Sequence, residues 1–214
     1  MIKNMPKEPS ALYIDRRVKE YLAQNPELDR NEMLKEVAEL TLKYAKEFLL
    51  VYKAYNLESA VNFIYSLVDS YMEQATQAYS FSCKKGCSYC CHQHDITTTD
   101  YEAQAIAVYC KQNRINIPRK YLKAQLPFTK EEFAFSGKSA CVFLKDKVCS
   151  IYPFRPVVCR TYAVGSPAHL CNTKLGTQTV GIFFSPEMEA IKSALVSAGA
   201  TQGRLISLLL PHSK

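Results

Sequence analysis

The first eighty positions show the spacing of amphipathic helices. Apolar residues recur every three or four positions over residues 34–52 and again over residues 57–78, so that each set falls on one helical face. Residues 12–22 carry a shorter pattern of the same kind. These patterns predict two long helices that pair as a hairpin, with a shorter helix before them.

Polar residues that can cap helices stand at the expected places. Asp29 and Asn56 precede the two long apolar patterns, and Ser185 with Pro186 precedes a third over residues 190–198 that Gly199 can end. Such side chains accept hydrogen bonds from backbone N–H groups that have no partner within the helix. The sequence therefore predicts helices that begin after each of them.

The middle of the chain has a different pattern, because the helical spacing stops near residue 81. Thr99 and Glu102 have the spacing of a capping box for a helix that runs through Cys110, and residues 129–132 repeat that spacing in a short turn. Residues 141–152 alternate apolar and polar around Lys145 and Asp146, which predicts a small β-hairpin.

Together these patterns predict a mostly α fold: a helical hairpin plus a cysteine-rich metal-binding region with a small β-hairpin. We divide the chain into an N-terminal helical region at 1–80, a cysteine-cluster region at 81–172 and C-terminal helices at 173–214. The C-terminal helices are expected to pack on the same domain, since 214 residues suit a single core.

Composition narrows the expected location and partners. No apolar run approaches the ~20 residues that span a membrane, and the first residues lack the apolar segment of a secretion signal. We expect a cytoplasmic protein without a membrane partner. The formal charge is +7, but no basic stripe with interleaved aromatic residues is present, so a nucleic-acid partner is unlikely. A protein partner is allowed, and the oligomeric state is not predicted.

Nine cysteines are unusual for a chain in a reducing compartment. Disulfides rarely persist there, so metal binding or redox chemistry is the better explanation. Four of these cysteines form a tight cluster with the spacing C-x3-C-x2-C-C: Cys83, Cys87, Cys90 and Cys91. A short loop of this kind lets several sulfur atoms converge on one ion, and Gly86 allows the positive φ that such a turn often needs.

Four more cysteines follow downstream: Cys141, Cys149, Cys159 and Cys171. Taken alone, their spacing matches no standard zinc motif, and they could equally be core thiols. In an extended backbone the side chains of Cys90 and Cys91 would diverge, so that the pair would serve two ions or two corners of a cluster. Eight thiolates suit two four-coordinate sites or one larger iron–sulfur assembly.

Other residues near the cysteines have two interpretations each. Cys110 lies among apolar helix residues and is predicted to be a core thiol. His92 and His94 could be ligands, although supporting or surface positions are favoured when eight cysteines are available. Arg155 and Arg160 could bind an anionic substrate, but charge compensation or salt bridges are favoured.

The cysteine pattern resembles a known family. The first cluster is followed by Cys141-Val-Phe-Leu and then by a segment that joins Cys149-Ser-Ile-Tyr to Arg155-Pro156 and to Cys159-Arg160-x-Tyr162. This arrangement over roughly residues 80–172 resembles the YkgJ-type cysteine-cluster family, which is described as zinc- or iron-chelating. The resemblance implies a metal-binding domain with up to eight cysteine ligands, of which Cys171 has no tight motif around it.

Two hypotheses of function follow. In the first, zinc or iron, which could be an iron–sulfur cluster, binds the thiolates and ties irregular loops together. In the second, the protein is an iron–sulfur-dependent modifying enzyme, since a flagellin lysine N-methylase is similar in its cysteine cluster. Catalytic residues are not predicted, and thiolate ligands alone do not separate zinc from iron.

Overall fold

The structure is a computed structural model that describes residues 18–93, 96–128, 140–171 and 183–213. The described chain is mostly helical with two small antiparallel sheets, which confirms the predicted fold class. Within these residues no helix is both long enough and apolar enough to cross a membrane. Residues 18–24 are helical; the rest of the short helix predicted there lies outside the described residues.

The predicted helical hairpin is present as α1 (Arg30–Ala54) and α2 (Leu57–Ala78). Asp29 caps α1 by accepting hydrogen bonds from the N–H groups of Asn31 at 2.8 Å and Glu32 at 2.9 Å. Asn56 caps α2 in the same way. The facing sides of the two helices contribute large side chains to the core: Phe48, Val61, Ile64, Tyr65 and Val68.

The last long helix, α7 (Pro186–Ser197), lies against α1. The hydroxyl of Ser185 accepts the N–H of Met188, and Pro186 occupies the first turn, as the sequence predicts. After the helix ends, Gly199 takes a φ of +101°, a conformation that costs little without a Cβ atom. The third helical layer thus covers the hairpin from the C-terminal part of the chain.

Short elements connect the hairpin to this layer. The cysteine cluster is followed by α3 (Tyr89–Gln93), β1 (Thr97–Thr99), α4 (Asp100–Gln112) and α5 (Arg119–Gln125), and near the C-terminus lie β4 (Gln202–Arg204), α8 (Leu205–Leu209) and a 3-10 turn at Leu210–His212. The capping box of Thr99 and Glu102 at α4 is formed. β1 pairs antiparallel with β4 in the register Thr98 to Gly203. The sequence analysis did not predict this sheet.

The predicted β-hairpin is also present, in a minimal form. β2 (Leu144–Lys145) pairs with β3 (Val148–Cys149) across Asp146 and Lys147, which both have positive φ values of 50° and 63°. Two left-handed residues in a two-residue loop make the turn that suits the twist of a hairpin. A 3-10 turn at Tyr152–Phe154, α6 (Val157–Thr161) and a 3-10 turn at Ala168–Cys171 complete the region. The turn predicted at residues 129–132 lies outside the described residues.

One cluster of buried side chains draws on all three segments of the predicted division. It includes Phe48 from the hairpin, Ile106 and Phe143 from the middle of the chain, and Ile191 and Leu209 from the C-terminal part. The boundaries of that division stay a prediction. Cys141 and Cys149 pack against the edge of this cluster, so the cysteine region rests directly on the core.

Candidate metal centre

The first two cysteines lie in the loop that follows α2. The backbone N–H of Cys87 donates to the carbonyl of Lys84 at 2.9 Å, and Gly86 between them has a φ of +91°, as expected for the turn. The N–H of Ser82 donates to the carbonyl of Val164 at 2.9 Å. These bonds fold the loop back and fasten it to the segment after α6.

Cys90 and Cys91 lie within the short helix α3. The backbone at these two residues is therefore helical, and the divergence of side chains predicted for an extended backbone does not apply. The pKa of Cys90 is raised, first by a side-chain hydrogen bond between the two thiols and then by burial. They still start about 100° apart around the helix axis, which leaves each free to face a different set of partners.

The next cysteines are brought to α3 by backbone hydrogen bonds. The N–H of Cys141 donates to the carbonyl of Cys91 at 2.7 Å, which places the start of the β-hairpin against the cluster. Cys149 lies on β3 opposite Leu144. A main-chain hydrogen bond thus joins Cys91 and Cys141, which are fifty positions apart in the sequence.

Cys159 and Cys171 lie on two further short elements. Cys159 is on α6, where its N–H donates to the carbonyl of Pro156 at 2.9 Å. Cys171 ends the 3-10 turn Ala168–Cys171, which contacts α3. Both of these predicted ligands are therefore carried by short helical turns.

Seven of the eight predicted ligands line one cavity of about 590 Å³. These seven are Cys83, Cys87, Cys90, Cys91, Cys141, Cys149 and Cys159. The eighth, Cys171, does not line the cavity. It is close enough to Cys83, Cys87 and Cys90 that their charges raise its pKa after the effect of burial.

The electrostatic neighbours of each thiol divide them into two groups. The first thiol group consists of Cys83, Cys87 and Cys171, and the second consists of Cys141, Cys149 and Cys159. Cys90 interacts with members of both groups. Cys90 on α3 therefore stands between them.

Burial raises the pKa of Cys83, Cys141 and Cys149, while hydrogen bonds from backbone N–H groups lower it. Burial raises the pKa of Cys141 to about 12, against the lowering effect of backbone hydrogen bonds at Phe143 and Leu144. The pKa of Cys83 is likewise raised by burial and lowered by a backbone hydrogen bond at Val164. Donors aimed at sulfur suit a site whose thiols lose their protons to a metal.

The positions of the thiols do not by themselves amount to a finished metal site. Across residues 18–93, 96–128, 140–171 and 183–213, no group of three or more His, Cys, Asp or Glu side chains is arranged so that it could hold an ion. The eight-cysteine ligand set therefore stays a prediction. What supports it is the donor chemistry, since thiols gathered at one cavity fit the soft ligands that zinc and iron take.

Arg160 has a structural environment rather than an open one. Its side chain is 2% exposed, and its guanidinium stacks on the ring of Tyr65 at 4.1 Å. It forms an ion pair with Asp69 and donates to the carbonyls of Arg155 and Pro153. This is the salt-bridge role that the sequence analysis favoured. Asp69 was not predicted, because a carboxylate on an outward position of α2 carries no local signal of a distant partner.

The side chain of Arg155 also contacts a residue nearby in the sequence. Its guanidinium lies over the ring of Tyr152 at 3.9 Å and donates to the Tyr152 carbonyl at 3.1 Å. Its charge and that of Arg160 lower the pKa of Cys149, although burial, the largest effect, raises it overall. Charge compensation at the thiols is thus present in the geometry.

The remaining candidates differ in outcome. Cys110 is 1% exposed and part of the core, as predicted. His92 is exposed on α3 and does not line the cavity. His94 lies outside the described residues.

Residues 82–177, just under half of the chain, match the model of a family described as "CxxCxxCC: Putative zinc- or iron-chelating domain". The match covers all eight predicted ligands. No curated protein and no solved structure matches this chain.

Proposed function

We propose that this chain, whose residues 82–177 belong to the CxxCxxCC family, binds zinc or iron through thiolates at the cavity between α2, α3 and the β-hairpin. The observation that carries this proposal is the convergence of seven cysteines, separated by up to 76 positions, on one cavity. Apolar collapse alone would not select cysteine at each of these places. A thiolate centre explains the choice, because sulfur is the ligand these metals share.

The grouping of the thiols supports a centre with more than one metal atom. Each thiol group supplies three ligands and needs a fourth, which Cys90 and Cys91 can provide one apiece. Eight thiolates then complete two four-coordinate positions, or hold one iron–sulfur assembly of larger size. A cavity of about 590 Å³ is roomy for a single ion and suits such a centre.

A metal bound here would add a connection between short segments that otherwise rest on the core through side chains such as Phe143 and Ile151. The described elements that carry the thiols are no longer than five residues, and helices this short are not stable alone. Binding would therefore convert metal affinity into folding free energy for this region. Once a metal has displaced the protons, the backbone donors at Cys83 and Cys141 would help to stabilise the thiolates.

Elemental analysis of protein purified without oxygen tests the proposal. We expect about two zinc ions per chain in a colourless protein, or iron with sulfide in a brown protein that absorbs near ~400 nm. Replacing Cys141 with serine should lower the metal content, whereas Cys110→Ala should leave it unchanged. A wild-type chain that takes up neither metal under reducing conditions would contradict the proposal.

The enzyme hypothesis stays a prediction from the sequence. The described geometry supports no assignment of catalytic residues, and both arginines considered for an anionic substrate are engaged within the protein. The cytoplasmic location and a protein partner also remain predictions.

A further inference from the structure

Glu102 does more than close the capping box of α4. Its side chain is buried, at 3% exposure, yet no Lys or Arg in the described residues forms an ion pair with it. A buried carboxylate without a cation is stable only when hydrogen bonds satisfy its oxygen atoms. The identity of its donors therefore shows what this charge holds in place.

The donors come from three segments of the chain. On one oxygen, Oε2, the carboxylate accepts the hydroxyl of Thr98 at 2.7 Å and the N–H and hydroxyl of Thr99 at 3.1 Å and 3.0 Å. On the other, Oε1, it accepts the N–H of Val157 at 2.7 Å and the hydroxyl of Tyr65 at 3.5 Å. In a capping box, the glutamate side chain needs to accept only one of these bonds, the one from the N–H of Thr99.

The bond to Val157 reaches the metal centre. Val157 is the first residue of α6, two positions before Cys159, whose own N–H is fixed by Pro156. We propose that Glu102 is a positioning residue of the centre, whose carboxylate fixes the start of α6 and thereby the place of the Cys159 thiol. This inference rests on the proposed function in taking Cys159 as a ligand.

The geometry requires a carboxylate rather than an amide. The N–H groups of Thr99 and Val157 can only donate, and they bind different oxygen atoms of Glu102. A glutamine offers one oxygen and one NH2 group, so one of these two N–H groups would face another donor. Glu102→Gln must therefore release either the cap of α4 or the start of α6.

Variants that approach the same bond from both ends test the proposal. Val157→Pro deletes the N–H while its ring suits the first position of a helix, and Val157→Ala is the matched control that loses side-chain volume but keeps the N–H. Thr99→Ala removes the side-chain cap of α4 and one hydroxyl bond to Oε2 but keeps the bond from the N–H of Val157, so it is the control for the loss of those two contacts. Each variant is checked for folding by circular dichroism, and alkylation of each cysteine by iodoacetamide is then timed by mass spectrometry.

We expect Cys159 to be alkylated about tenfold faster in Glu102→Gln and Val157→Pro, the factor that one hydrogen bond to a charged group typically supplies. Cys141 should be unchanged, and both control variants should behave as wild type. In Co²⁺-loaded protein, Glu102→Gln and Val157→Pro should also show weaker cobalt–thiolate absorption.

Equal alkylation of Cys159 in wild type and in Val157→Pro would overturn the positioning role. If Glu102→Gln fails to fold, the two Val157 variants decide the question alone. The alkylation is measured in metal-free protein as well, so a wild-type chain that binds no metal refutes the proposed function while the position of Cys159 is still tested.

Discussion

The helical hairpin and the cysteine region are held together by different forces. α1 and α2 have 25 and 22 residues, both capped, and bury Phe48, Ile64 and Tyr65 completely or almost so. The thiol-bearing segments have elements of at most five residues. Burial of apolar area is the main force in the first region. The second also buries Phe143, Ile151 and Val157 in the same core, but it depends in addition on long-range hydrogen bonds and on whatever joins its sulfur atoms.

If the two regions depend on different forces, a substitution in the hairpin should lower stability without changing metal binding. Phe48→Ala should lower the stability most. Phe48 is fully buried and stacks on Tyr101 at 5.7 Å between ring centroids. Its loss should lower the free energy of unfolding by about 3–5 kcal/mol, as measured by urea denaturation. The metal content of the chains that remain folded should not change.

Substitution of a predicted ligand should have the opposite effect: metal binding should weaken while the helices remain folded. Cys87→Ser should weaken metal binding by at least ~10-fold to 100-fold, the range that changes to the hydrogen-bond partners of ligands already cost, while the helical signal in circular dichroism persists. Competition with a chelator measures the affinity. Cys110→Ala provides the matched control at a cysteine of the core, and a comparable loss of metal there would argue against the ligand assignment.

A third substitution acts where the two regions meet. Arg160 joins α6 to α2 through Asp69 and satisfies the carbonyls of Pro153 and Arg155. Arg160→Met leaves those carbonyls without their donor, and should lower the free energy of unfolding by about 1–3 kcal/mol. The cost should be greater in metal-free protein, where no second connection holds α6.

Asp69→Asn is the control for that substitution. The Asp69 side chain is 54% exposed, so solvent screens the ion pair, and removing its charge should cost less than about 1 kcal/mol. Equal costs for the two variants would mean that the ion pair, not the carbonyl bonds, connects the regions.

What the sequence predicts well is local. The caps at Asp29, Asn56 and Thr99 depend on contacts within three residues, which a sequence pattern records. The positive φ at Gly86 and the turn at Asp146 follow from the same kind of information. Cysteine spacing likewise shows, before any fold is known, the resemblance to the family whose model matches residues 82–177.

What the sequence did not predict depends on distant partners. β1 and β4 have three residues each and pair across more than a hundred positions. Strands this short do not show a recognisable alternation of apolar and polar residues. The bond from Val157 to Glu102 spans 55 positions and has no sequence signal. The helix α3 has five residues without a capping signal, so an extended backbone at Cys90 was the wrong premise.

The helix caps give the smallest and most specific test of the separation between the regions. Asp29 accepts two backbone N–H bonds and Asn56 accepts one, so Asp29→Ala should cost at least as much stability as Asn56→Ala, each within about 0.5–2 kcal/mol. Thermal unfolding measures the cost, and metal content per chain should stay constant in both variants. If metal content instead fell in step with stability, the hairpin and the cysteine region would unfold as one cooperative unit, and packing in the hairpin would then contribute directly to holding the thiols together.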